Sequence, residues 1–276
     1  MNDMSLKAKI RNIASDKNIS AAAVLQNYLM CRFLFRLAKS EYKNKFVIKG
    51  GMLISSIIGV DQRSTLDLDA TIRNMQLEEA IIREAFIDIC SVEAGDGIQF
   101  TFKSIDPIRA DDEYGGYRVL YTAVLGKINA PMSMDISTGD VITPEAQLHE
   151  FKDMFDPEQK IKLFSYPIET VIAEKLETIL SRGIDNTRLR DFYDVYMLSA
   201  VNYDTETLRE AFIATSKHRG SFDKTRNHTE IINAIRSDSV MNQRWNGYRK
   251  QMKYAEAINF AETLDAMNRI MDTIEA

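Results

Sequence analysis

Long hydrophobic runs are missing from this chain. No stretch approaches the roughly 18 consecutive apolar residues that a membrane span needs, which excludes a helical membrane protein. Glycine and proline are sparse, 12 and 5 in 276 residues, so collagen-like and low-complexity architectures fall away. Cysteine is sparser still. Cys31 and Cys90 sit in helix-like patterns with no nearby His, which supports neither a disulfide framework nor a zinc site, and any metal has to be held by oxygens. No apolar run follows the charges of the N-terminal segment, so the cytoplasm is the expected compartment.

What is present is 45% hydrophobic, 27% charged and 9% aromatic, enough to bury a core and to exclude disorder. The net charge of −5 argues against coating nucleic acid through an overall field. One segment runs the other way. From Ser216 to Lys253, nine basic residues (Lys217, Arg219, Lys224, Arg226, Arg236, Arg244, Arg249, Lys250 and Lys253) face three acids, Asp223, Glu230 and Asp238. The segment reads either as a solvated helical surface or as a docking face for a phosphate backbone.

Strand signals are confined to the first half, which predicts a mixed unit followed by a helical one, with the boundary near residues 143–165. Ala21 to Lys39 has the period of an amphipathic helix, with Val24, Leu25, Tyr28, Cys31, Leu34 and Phe35 inward. Phe46-Val47-Ile48 is a short apolar run that stops at Gly50-Gly51, and Met52 to Ile58 resumes with helical character. Leu66 to Ile72 alternates, Ile98 to Lys103 follows an Asp96-Gly97 hairpin signal, and Tyr117 to Leu125 and Met132 to Ser137 complete about five strands. The later patterns are helical: Pro167 to Arg182, Leu189 to Ala200, Thr205 to Lys217, Thr229 to Asp238, Met241 to Lys253 and Ala255 to Ile274.

Alternation in Leu66-Asp67-Leu68-Asp69-Ala70-Thr71 puts Asp67 and Asp69 on one side of a strand. Two carboxylates there are either a solvent-facing edge or a site for a hard cation such as Mg²⁺. In Met132-Ser133-Met134-Asp135-Ile136-Ser137 the acid again faces away from the apolar side, and three carboxylates from two strands suit two-metal phosphoryl transfer. Lys49-Gly50-Gly51 is either a tight turn or a place where backbone approaches a triphosphate beside free helix N–H groups. On the Pro167 to Arg182 helix, Lys175 falls near the middle of the stripe of Val171, Ile172, Leu176, Ile179 and Leu180, with Arg182 close by. A lysine there either meets an anion or snorkels outward. Asp191 shares a face with Val195 and Leu198 and needs a partner. Arg188 or Arg190 supplies one structurally, and proton acceptor or ligand contact is the alternative.

The ordered set Lys49-Gly50-Gly51, Arg63-Ser64-Thr65-Leu66-Asp67-Leu68-Asp69, Asp135, Glu174-Lys175 and Arg190-Asp191-Phe192-Tyr193-Asp194 resembles the AbiEii/AbiGii abortive-infection toxins of the DNA polymerase β-like nucleotidyltransferase superfamily. The resemblance runs from about residue 45 to residue 200 and is densest from Thr170 to Leu198. It implies an α+β fold with an N-terminal nucleotidyltransferase domain over residues 1–150 and a helical domain over residues 151–276 that completes the nucleotide cleft. It also implies that Gly50 and Gly51 bind triphosphate, that Asp67 and Asp69 hold Mg²⁺ or Mn²⁺, and that Asp135 either joins them on the metal or acts as base toward the acceptor hydroxyl. Lys175 would contact the nucleotide phosphates, followed by the acid Asp191, and Asp194 would be structural. Lys49, Arg63, Thr65 and Arg182 complete the nucleotide set.

The expected function is a toxin of phage defence, paired with a cognate antitoxin, that moves a nucleotide from an NTP to an acceptor. Transfer RNA leads as acceptor, because some relatives modify it and because Lys217, Arg219, Lys224, Arg226, Arg244, Arg249, Lys250 and Lys253 suit RNA. A protein hydroxyl is second. The alternatives are a catalytically silent nucleotide- or RNA-binding module that acts through a partner protein, and an NTP hydrolase.

Overall fold

The computed structural model describes residues 2–108, 115–156 and 158–275. Two helices open the chain, α1 (Asp3–Asp16) and α2 (Ala21–Lys39), each started by a side-chain cap: Asn2 accepts from the amide of Ser5 and Ser20 from that of Ala23. There follow β1 (Phe46–Lys49), α3 (Gly50–Ile58), β2 (Leu68–Ile72), α4 (Glu79–Ser91), β3 (Gln99–Ile108), β4 (Gly116–Leu125), β5 (Ile128–Ser137), β6 (Gln147–Lys152) and β7 (Lys160–Ser165). Helices make up the rest: α5 (Ile168–Arg182), α6 (Leu189–Leu198), α7 (Thr205–His218), α8 (Phe222–Thr225), α9 (His228–Ser237), α10 (Ser239–Gln251) and α11 (Phe260–Glu275). The class is α+β, as expected.

The strands form one mixed sheet of seven, in the order β3-β4-β5-β2-β1-β7-β6. Sequence reasoning finds about five. It misses the β6–β7 hairpin, which lies at the expected boundary near residues 143–165; Gln147-Leu148-His149-Glu150 has no clean alternation. Asp96-Gly97 is not a hairpin turn either, because helix α4 precedes it. Asp96 instead receives Arg32 (2.7 Å) and Arg36 (2.8 and 3.0 Å) from α2. The second strand begins at Leu68, which leaves Leu66 outside it and 60% exposed.

The chain divides into two compact units. The first comprises Met1–Asp140 with Gln147–Ser165, and the second Val141–Ala146 with Tyr166–Ala276. In the first, one sheet face is apolar: Phe46, Phe100 and Tyr121 meet Phe33 of α2 and Phe86 of α4, with ring centroids 4.5–6.2 Å apart. Because strand side chains alternate, the residues between these point to the opposite face, and that face carries the charges described below.

In the second unit α5 buries Val171, Ile172, Leu176, Ile179 and Leu180, the stripe read from its period. Pro167 sits at the N-cap, where its missing N–H leaves no bond unmade, and Gly183 ends the helix at φ +54. Trp245 of α10, 1% exposed, stacks on Phe260 at 5.4 Å and donates to the carbonyl of Ile258 at 3.2 Å. Among the described residues, no helix is long and apolar enough to cross a membrane.

Candidate active site

Strand register in the first unit assembles a row of charged side chains across five strands. Lys49 of β1 is the partner of Asp69 on β2, Asp69 of Asp135 on β5, Asp135 of Arg118 on β4, and Arg118 of Asp106 on β3. Directly paired residues share a face, so the five side chains stand on one side of the sheet about 4.8 Å apart from strand to strand. Asp67 lies two residues before Asp69 and accepts from the hydroxyl of Ser133 at 2.8 Å.

Asp69 is held from two directions. The chain turns from β1 directly into α3 at Gly50, with φ +67, and the Gly51 amide at the new helix N-terminus donates to the Asp69 carboxylate. A Cβ at Gly50 would lie 2.1 Å from Asp69 Oδ2, and one at Gly51 would lie 2.5 Å from Thr65 Oγ1. Both glycines therefore serve a close approach within the protein, whatever they also offer a ligand. Burial pushes the Asp69 carboxyl above its usual range. Lys49 pulls it down, Asp135 and Asp67 add to the upward push, and the net shift is upward.

Lys49 reaches Asp140 (2.6 Å) and Ser137 (2.8 Å). Burial raises the Asp140 carboxyl, but Lys49, Ser137 and Thr71 outweigh it and hold it down at about 2. Asp135 is occupied by a fork: Arg118 Nε and Nη2 each lie 2.7 Å from one of its oxygens. Arg118, half exposed, is held above the ordinary arginine value by Asp135 first, with Asp67 and Asp69 contributing. Lys49, Asp69, Asp135 and Ser137 line a small cleft with Ile108, Gly115, Gly116 and Ile136. Among the described residues no three His, Cys, Asp or Glu side chains close into a ready-made metal cage. The register explains this: the expected trio stands side by side, with Asp135 turned onto Arg118 and Asp67 onto Ser133.

Arg63 and Thr65, expected at the nucleotide, are only 3% and 6% exposed. They pack under α3, where Thr65 touches the space beside Gly51 and Arg63 bonds the carbonyl of Ser64 at 2.6 Å.

The second unit gathers its own cluster. Lys175 Nζ lies 2.7 Å from both Asp191 Oδ1 and Asp194 Oδ2, and Arg188 Nε lies 2.7 Å from Asp191 Oδ2. Burial pushes the Asp191 carboxyl up, but Lys175 and Arg188 prevail and keep it below the usual carboxylate range. Asp194, anticipated as structural, is fully buried. Arg182 does not join the inward stripe; at the last position of α5 it is exposed.

The basic segment is dispersed. Arg219 clasps Glu174 (2.9 Å) and Glu177 (2.6 Å), Arg236 pairs with Asp265 (2.7 Å), Arg244 caps the carbonyls of Ile184 and Asn186, and Arg249 bonds that of Glu256. Lys217, Lys224, Arg226, Lys250 and Lys253 stay exposed. Sequence reasoning misses Arg118, Asp106, Ser133 and Asp140. For Arg118, Asp106 and Ser133 alternation signals an outward face, but only the pairing register reveals what each one meets; Asp140 lies in the loop after β5, where no periodic signal marks it.

The fold is that of a nucleotidyltransferase-like protein. The structure of a Helicobacter pylori protein assigned as a nucleotidyltransferase superimposes with a TM-score of 0.50 at 18% identity, covering 93% of this chain and 96% of that one. A second Helicobacter pylori protein, JHP933, gives 0.48 at 18% identity over 92% of both chains, and an antigenic nucleotidyltransferase-like protein from Paracoccidioides brasiliensis gives 0.42 at 15% identity over 72% and 91%. No curated protein matches the sequence. The family is settled by sequence: residues 32–266 match the nucleotidyl transferase AbiEii toxin family of type IV toxin–antitoxin systems, and the chain belongs to that family. It is therefore a nucleotidyltransferase toxin, and its class implies a cognate antitoxin.

Proposed function

We propose that the chain transfers a nucleotide from an NTP to the end of an RNA, with transfer RNA as acceptor. The observation that carries this reading is the pair of carboxylates on adjacent parallel strands, Asp69 and Asp135, with Asp67 beside them. Burial raises the Asp69 carboxyl, and Asp135 and Asp67 add to the push; the donor set is made of oxygens alone. That set fits Mg²⁺ or Mn²⁺, held by Asp67 and Asp69 with Asp135 as the third ligand. When bound, such a cation would supply Lewis-acid activation of the acceptor oxygen and charge neutralisation at the departing pyrophosphate.

The chain's own residues do the positioning. The Gly51 amide and Lys49 aim Asp69, and Asp140 and Ser137 anchor Lys49. Arg63 and Thr65 support the glycine turn from beneath. Within the helical unit, Asp191 and Asp194 fix the ammonium group of Lys175, the lysine this reading assigns to the nucleotide phosphates. Lys217, Lys224, Arg226, Lys250 and Lys253 supply phosphate contacts to the RNA, without base readout. The test is incubation with α-labelled NTPs and total RNA, before and after periodate oxidation of RNA 3′ ends. Label on intact RNA and none on oxidised RNA supports the reading; label on protein, or release of phosphate with no labelled polymer, overturns the RNA acceptor.

A further inference from the structure

The charge row contains a cation that the reaction above does not use. Arg118 sits between two carboxylates in the same row: its fork lies on Asp135 of β5, and its direct partner on the other side is Asp106 of β3. Asp106 is exposed and accepts only the hydroxyl of Ser104 at 3.1 Å among the bonds of its side chain given by the structure. The two acids are thus one strand spacing to either side of a half-exposed, long side chain. A guanidinium that spans both oxygens of Asp135 blocks the lone pairs that a metal would take.

We propose that Arg118 is a movable counter-ion of the active site: it neutralises Asp135 in the resting protein and swings to Asp106 when Asp135 turns to a divalent cation. The inference rests on the reading of Asp67, Asp69 and Asp135 as metal ligands. It gives Asp106, which no ligand is expected to touch, a defined part as the parking place. Arg118 is a positioning residue in this scheme. It sets how readily the third carboxylate becomes free, so that the site stays charge-compensated until cation and nucleotide arrive together.

The test measures Mn²⁺ binding to the full chain without nucleotide, by electron paramagnetic resonance of the free ion. R118Q removes the competitor, and affinity should rise about two- to fivefold, the range expected for one partly exposed ion pair. D106N removes the parking place and should weaken binding about two- to threefold; in the R118Q background it should have no effect, since the two positions act as one unit. A purely long-range charge effect of Asp106 would persist in that background. As a second readout, the Nε–Hε NMR resonance of Arg118, assigned by its loss in R118Q, should shift on Mg²⁺ addition. Unchanged or weaker Mn²⁺ binding in R118Q, an equal D106N effect in both backgrounds, or a stationary resonance during Mg²⁺ uptake overturns the proposal. Asp69→Asn separates the two levels. If the wild-type protein takes up no Mn²⁺ that this variant loses, the metal reading falls and the counter-ion role with it; if Asp69-dependent binding stands while R118Q is without effect, only the counter-ion role falls.

Discussion

Replacing Gly50 by Ala adds a single methyl group, and the structure specifies where it goes. The new Cβ would lie 2.1 Å from Oδ2, 2.8 Å from Cγ and 2.9 Å from Cβ of Asp69. To regain ordinary contact the carboxylate has to withdraw by about 1 Å, a displacement that at a reacting centre costs on the order of 100-fold in rate. The backbone adds its own cost, because φ of +67 is unfavourable for alanine by about 1 kcal/mol or somewhat more. Thermal stability should therefore drop by only about 2–6 °C while Mn²⁺ affinity and transfer from an α-labelled NTP fall by two orders of magnitude. Gly51→Ala is the comparison: its φ is not in the strained region, and its Cβ at 2.5 Å from Thr65 Oγ1 displaces a buried support and leaves the acid in place. Its transfer rate should fall less than that of Gly50→Ala. A Gly50→Ala protein with wild-type Mn²⁺ affinity and rate would refute the argument that this glycine exists to admit Asp69.

Lys175→Ala should lower stability by about 3 kcal/mol in urea denaturation, because Asp191 and the fully buried Asp194 lose their shared cation; adding Asp194→Asn should restore part of it, and an unchanged midpoint in the single variant would contradict the cluster. Asp96 and Asp140 are each held down at about 2, against an ordinary value near 4. A carboxylate with a depressed folded value stabilises above the unfolded value, and that stability is lost as pH falls through the folded one. Each should contribute about 2 kcal/mol at neutral pH that disappears between about pH 4 and pH 2. Melting curves of Asp96→Asn and Asp140→Asn should be flatter over that window than the wild-type curve, and identical slopes would contradict the assignment. Charge reversal at Lys250 and Lys253 should weaken RNA binding and reduce its salt slope by about one per lost contact, whereas an unchanged slope would place the RNA elsewhere.

The parts of the fold legible in the sequence are those in which one period dominates. Helix α2 and the apolar stripe of α5 follow from spacing alone, and β4 and the end of β5 follow from alternation. β6 does not, because Gln147-Leu148-His149-Glu150 has no consistent polar face and Leu148 is exposed; β7 carries a short alternation, Lys160-Ile161-Lys162-Leu163, but its partner gives no matching signal. The same distinction holds at the site. Alternation alone sets Asp67, Asp69 and Asp135 away from the core, but it is silent about neighbours across the sheet. That Asp69 stands beside Asp135, and Asp135 beside Arg118, depends on strand order and register, which are set by contacts far apart in the chain. Lys175 shows the converse. Its place on the inward stripe is visible from the helix period, whereas its engagement with two acids of α6 requires the packing of one helix against another. The basic segment misleads because composition counts charges and not their partners: Arg219, Arg236, Arg244 and Arg249 have work inside the fold.

The central claim is nucleotidyl transfer that depends on Asp69, and the most direct test compares α- and γ-labelled forms of each NTP. Purified wild-type and Asp69→Asn proteins are incubated with Mg²⁺, the labelled nucleotide and total cellular RNA and protein, and the polymers are separated. With the wild type, α-label should enter an RNA band for at least one nucleotide and γ-label should leave as pyrophosphate, with neither product formed by Asp69→Asn. Incorporation of γ-label, or no labelled polymer with any of the four nucleotides, would contradict the account.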